Sequence, residues 1–124
     1  MEKQIKEEIL EALPHFNGTE QLWEHRTFAG SIYLTDGCNF LREKANCRWI
    51  FDLLFSYQQK LKEESFQCWN LIRITGNEFE IKCHDGDENS LVRQQIPFSD
   101  FVLDELTIWL VNEGQPLCML PSEY

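Results

Sequence analysis

Residues Cys47 to Glu63 run for 17 positions without a glycine or a proline, and their apolar side chains do not keep to one side. Ile50, Leu54, Tyr57 and Leu61 form one helical stripe, and Trp49, Phe51, Leu53 and Phe55 extend it around most of the circumference. A helix that is apolar nearly all round has to be covered on more than one side. The pattern therefore predicts one of two things: a central helix flanked by a sheet and by the other helices, or an apolar patch kept for a partner.

The segments around this helix are read from periodicity and turn residues. Ile5, Ile9, Leu10 and Leu13 line one side of residues 2–13, which predicts an amphipathic helix stopped by Pro14. Asn17-Gly18 marks a turn, and two short extended segments are expected over Thr19 to His25 and Ser31 to Thr35. For the first, a helical turn capped by Asn17 with Glu20 three residues on is the alternative. Thr35 and Asp36 then offer N-caps for a short helix over about Gly37 to Ala45, with Phe40 and Leu41 facing inward.

After residue 65 the period changes. Phe66 to Ile74, Glu78 to His84, Ser90 to Ile96, Leu106 to Val111 and Leu117 to Leu120 read as strands separated by Gly- and Asn-containing turns. In Glu78-Phe79-Glu80-Ile81-Lys82-Cys83 the alternation is strict, so Phe79, Ile81 and Cys83 face a core and the charges face water. The expected architecture is α+β, a single domain over residues 1–124 with N-terminal helices and a long central helix packed on a C-terminal antiparallel sheet. At 124 residues, with nine Phe and four Trp, the chain has the material for a real core.

The 21 Asp and Glu outnumber the 11 Lys and Arg, for a net charge of −10. That excess argues against direct contact with nucleic acid or anionic lipid, because each phosphate contact needs a cation. The longest uncharged stretches, Thr27 to Thr35 and Gly114 to Ser122, fall far short of the roughly 20 residues that span a bilayer. With no apolar N-terminal segment, a cytoplasmic address is expected. Cys38, Cys47, Cys68, Cys83 and Cys118 are widely spaced, odd in number and expected to be free, buried thiols.

Motifs that carry chemistry are sparse. No Cys-x-x-Cys, His-x-x-x-His or His-Glu-x-x-His occurs, and neither a nucleophile elbow nor a phosphate-binding glycine loop is present. Asp85-Gly86-Asp87-Glu88-Asn89 has the opening of a calcium loop, but its glycine is misplaced and position twelve is Ile96, so a hairpin turn is the better account. No catalytic residue, metal or cofactor is assigned. His25, Asp36 and Asp52 are the candidates for a pocket, with Asp52 sharing a helix edge with Arg48 and Gln59.

Several strings occur in order along nearly the whole chain: Phe16 to Gln21 followed by Trp23 and His25, Tyr33-Leu34-Thr35-Asp36-Gly37, Trp49-Ile50-Phe51-Asp52 with Ser56-Tyr57-Gln58, and Leu120 to Tyr124. On these the chain resembles a small family of bacterial, plasmid and phage proteins of unknown function. The resemblance implies a free-standing single-domain protein from bacteria or their mobile elements, and it carries no activity, ligand or catalytic residue.

The favoured functional reading is a small soluble non-enzymatic module that meets a protein partner or a second copy of itself through the apolar helix or a sheet edge. The alternative is an acidic decoy that mimics DNA phosphates and occupies a nucleic-acid-binding or host-defence protein. Its carboxylates would be Glu78, Glu80, Asp85, Asp87 and Glu88, with Glu7, Glu8 and Glu11 on the first helix. A small hydrolase-like enzyme is third.

Overall fold

The computed structural model describes residues 2–124. Three α-helices precede most of the sheet: α1 (Glu2–Ala12), α2 (Asp36–Lys44) and α3 (Arg48–Ser56). The strands are β1 (Trp23–Thr27), β2 (Gly30–Leu34), β3 (Phe66–Thr75), β4 (Glu78–His84), β5 (Ser90–Ile96), β6 (Glu105–Asn112) and β7 (Pro116–Met119). They form one seven-stranded sheet in the order β1-β2-β7-β6-β3-β4-β5.

The α+β class stands, but two expectations are corrected. The sheet is mixed, because β7 runs antiparallel to β6 and parallel to β2, pairing Tyr33 with Leu117 and Leu34 with Cys118. A parallel pair requires a long crossover, and here the chain makes α2, α3 and four strands before it returns.

The long central helix is also absent: α3 is nine residues and stops at Ser56. Tyr57 and Gln58 donate their backbone N–H to the carbonyls of Leu54 and Phe55, three residues back, which tightens the last turn. The Gln58 side chain then fills the Leu54 carbonyl at 2.9 Å and pairs reciprocally with Gln67 at the start of β3. The helix is ended by a side-chain bond to the sheet, with turns carrying the chain to Phe66.

The elements near the N-terminus follow local chemistry. Pro14 lies in a 3₁₀ turn after α1, and Ile9 is fully buried while Leu10, one position round the helix, is half exposed. Residues 17–22 form no helical turn, so the alternative capped by Asn17 is not adopted. Thr35 caps α2, its hydroxyl accepting from the Cys38 N–H.

One face of the sheet carries the core. Ile32, Leu34, Trp69, Leu71, Ile81, Ile108, Leu110 and Cys118 pack in one cluster with Ile9, Cys38, Leu41, Ile50, Phe51 and Leu54 of the helices. Much of the apolar surface of α3 is accounted for this way: Ile50, Phe51 and Leu54 are buried, and Trp49, Leu53 and Phe55 are half-buried against the same cluster.

Candidate functional site

The three pocket candidates separate into two places. His25 sits on the inward side of β1, fully buried, and its Nε2 lies 2.8 Å from Asp52 Oδ1 on α3. Its Nδ1 faces Arg42 Nη1 at 3.0 Å. A guanidinium has donors only, so Nδ1 must accept and Nε2–H must donate to Asp52. The order Arg42–His25–Asp52 thus fixes the tautomer. Arg42 is itself held by Asn39 at 2.7 Å and by Glu43 at 3.3 Å, and its buried Nε has no partner among the described residues.

Asp36 is elsewhere. Its two oxygens accept from the Glu20 N–H and from the Trp23 indole, both at 2.9 Å, and these donors hold its carboxyl below the usual carboxylate range. Thr19 Oγ1 accepts from the Asp36 N–H at 2.9 Å. Asp36 is therefore the clamp that fastens residues 19–23 to the start of α2.

Neither place is arranged as a hydrolytic site. Both imidazole nitrogens are engaged, so His25 has none left to take a proton from a nucleophile. All five cysteines are free and buried. Burial pushes the Cys47 and Cys83 thiols up to about 12 and raises Cys38, Cys68 and Cys118, the opposite of what a nucleophilic thiolate requires. Among the described residues no group of three or more His, Cys, Asp and Glu is placed to hold a metal ion.

The acidic residues of the β4–β5 hairpin are largely engaged within the protein. Glu80 is bound by Arg93 at 2.8 Å and Lys82 at 3.4 Å, and the Arg93 guanidinium chiefly holds its carboxyl low. Asp85 closes the turn by accepting from Asp87 N, Asn89 N and the Asn89 side-chain amide. Gly86 and Glu88 take positive φ there, +93° and +70°. On this hairpin Glu78, Asp87 and Glu88 make no ion pair among the described residues.

The remaining feature is the other face of the sheet. Register places Tyr33 opposite Leu117, Leu117 opposite Val111, Val111 opposite Phe66, and Trp109 opposite both Met119 and Cys68. These side chains alternate with the core residues of the same strands and so point away from the helices. None of them belongs to the core cluster. The Phe66 and Tyr124 rings each pack edge-on against Trp109, with centroids 5.4 Å apart, and Leu22 stands exposed beside Tyr33 and Leu117.

Sequence reasoning passed over this face, although β6 carried its signal. In Leu106-Thr107-Ile108-Trp109-Leu110-Val111 apolar residues occur on both parities, the mark of a strand with two apolar faces.

The strings that carry the resemblance meet in space. Glu123, from Leu120 to Tyr124, accepts from Thr35 Oγ1 at 2.6 Å, Gly37 N at 2.9 Å and Leu120 N at 3.0 Å, placing a buried carboxylate at the N-terminus of α2. Residues 7–124 match a family of unknown function (DUF6876). The chain belongs to that family. DUF6876 membership covers both clamps on α2 and the whole sheet, and it names no activity. No curated protein and no solved structure matches the chain.

Proposed function

We propose that this protein is a non-enzymatic interaction module that docks through the helix-free face of its sheet, and that the occupant is a second copy of the chain. The observation that carries the reading is the contiguous row of half-buried Tyr33, Phe66, Trp109, Val111 and Leu117, which lies outside the core cluster on the sheet face opposite the three α-helices. Aromatic residues grouped at the centre of a patch with charges at its rim are the usual anatomy of an interface.

Charge favours a second copy. The chain as a whole is at −10, which opposes self-association through most of its surface. On this face, however, Glu24, Glu78, Glu80 and Glu105 stand against Arg26, Lys82 and Arg93, a net of −1. It is nearly neutral, so two copies can meet here without the repulsion the chain's total charge would impose.

Size agrees. Strands about 4.8 Å apart and about 3.3 Å per residue make a seven-stranded face of about 29 Å by 20 Å, roughly 600 Å² before side-chain relief. A stable interface takes roughly 800 Å² from each partner.

The test is sedimentation velocity on the wild type, Trp109→Glu and Val111→Glu, with far-UV circular dichroism to confirm the fold. A wild-type dimer at about 100 µM that becomes monomeric in both variants is the expected result. A wild type that stays monomeric, or variants that dimerise as well as it does, would overturn the reading.

A further inference from the structure

A second surface lies at the other end of β1. The β1–β2 hairpin and α3 enclose an open groove of about 970 Å³, bordered by Phe28 on one side and by Arg48, Asp52, Phe55 and Gln59 on the other. That volume is at the upper end for a ligand site.

Three observations bear on what fills it. The first is an arginine without an anion. Arg48 stands four residues before Asp52 on α3, the spacing at which such residues ordinarily pair. Asp52 instead accepts from the buried His25 at 2.8 Å, and Arg48 has no ion pair among the described residues. In a chain with 21 acidic residues, an arginine facing a groove with no carboxylate on it is left to an external one.

The second is Phe28, whose side chain is completely exposed. It is held out by its turn: Thr27 Oγ1 accepts from the Ala29 N–H at 3.1 Å and donates to the Gly30 carbonyl at 2.7 Å. A large aromatic side chain presented on a braced turn is the form a binding anchor takes.

The third is the packing of Phe55 under the hairpin. Gly30 adopts φ +151°, and a Cβ there would lie 2.8 Å from the Phe55 ring. The glycine thus lets the ring approach the hairpin backbone at the base of the groove.

We propose that this groove binds an extended peptide segment that carries an acidic side chain and, farther along, a large apolar one. The carboxylate pairs with Arg48, and the apolar side chain lies between Phe28 and Phe55. Asp52, oriented by His25, accepts a backbone N–H of the peptide. Arg48 and Phe55 are seven residues apart on α3, about 10 Å along its axis, which an extended chain covers in about three residues.

This site is independent of the sheet face, so Trp109→Glu should bind the peptide as the wild type does.

The probe is an acetylated, amidated octapeptide with two Glu followed three residues later by Phe, titrated into ¹⁵N-labelled protein. Amide shifts confined to residues 26–30 and 48–59 are expected, with Arg48→Ala and Phe28→Ser each weakening binding at least about tenfold. Both side chains lie outside the core cluster, so the variants should fold, and their spectra show it directly. The proposal is overturned by equal binding of a peptide with Lys in place of Glu, by shifts centred on the sheet face, by acetate alone reproducing the shifts, or by no shift up to about 1 mM peptide.

Discussion

Replacing Glu123 by alanine should be among the most damaging single substitutions in this protein. Its carboxylate is 9% exposed and takes three donors, from Thr35 Oγ1, Gly37 N and Leu120 N. Net contributions of hydrogen bonds to a charged group run about 1.5–3 kcal/mol each, and a buried donor left without a partner costs about 1–3 kcal/mol. Water entering the space left behind offsets part of that, so Glu123→Ala is expected to lose about 3–5 kcal/mol.

Glu123→Gln separates charge from shape. One oxygen accepts from Thr35 and Leu120 and the other from Gly37 N, so an amide that keeps the first pair turns its NH₂ toward the Gly37 N–H. One bond is lost and two donors are opposed, for about 1–2 kcal/mol. For a chain of this size 1 kcal/mol moves Tm by roughly 3–5 °C. Thermal melts should therefore rank wild type above Glu123→Gln above Glu123→Ala, with Thr35→Val and Glu123→Ala less than additive when combined. A Glu123→Gln variant that melts with the wild type would refute the argument that the carboxylate holds α2.

Three further outcomes follow from the same geometry. Gly37→Ala should cost about 1–3 kcal/mol in urea unfolding, since its Cβ would lie 2.6 Å from both Glu123 Oε1 and Leu120 Cδ1, whereas Gly18→Ala, with nothing within 4 Å, should be nearly neutral. Acid should destabilise the fold: the carboxyls of Asp36, Glu80 and Asp104 are depressed by the Glu20 N–H, Arg93 and Lys6 respectively. Their contribution is complete above the unfolded carboxylate value of about 4 and is lost as pH falls through the lower folded values. Equal urea midpoints at about pH 6 and about pH 3 would contradict this. A thiol reagent at about pH 8 should label the native protein slowly and modify all five cysteines once it is unfolded, because every thiol is buried and its ionisation suppressed.

What could be read from the sequence was whatever local pattern determines. The strict alternation of Glu78 to Cys83 and the turns at Gly76, Gly86 and Gly114 place strands to within a residue or two, because side-chain period and positive φ are local properties. The parallel pairing of β2 with β7 was not legible, since nothing near Tyr33 announces a partner at Leu117. Nor was the end of α3, which depends on Gln67, nine residues beyond Gln58. Among the pocket candidates, Asp52 lies on the exposed helix edge with Arg48 as its spacing predicts, with Gln59 exposed beyond the helix end, but its bond to the buried His25 of β1 is not revealed by helical spacing, nor is that of Asp36 to Trp23.

The residues that carry the resemblance converge on scaffolding. Thr19, Glu20 and Trp23 fasten to Asp36, Thr35 and Gly37 to Glu123, and His25 to Asp52. Together these bonds tie the loop before β1, the N-terminus of α2, the middle of α3 and the last residues of the chain into one frame. Polar side chains engaged at that density brace a fold, because most of their bonding capacity is already used; exposed Asp52 is the exception, bound to His25 through Oδ1 alone among the described residues. The groups that remain uncommitted among the described residues are elsewhere: Arg48 without an ion pair, the fully exposed Phe28, and the half-buried Trp109 row on the sheet face opposite the α-helices. A search for function guided by the shared strings would thus mutate the frame and measure unfolding, whereas substitutions at exposed Arg48 and Phe28 can change binding while leaving the frame intact.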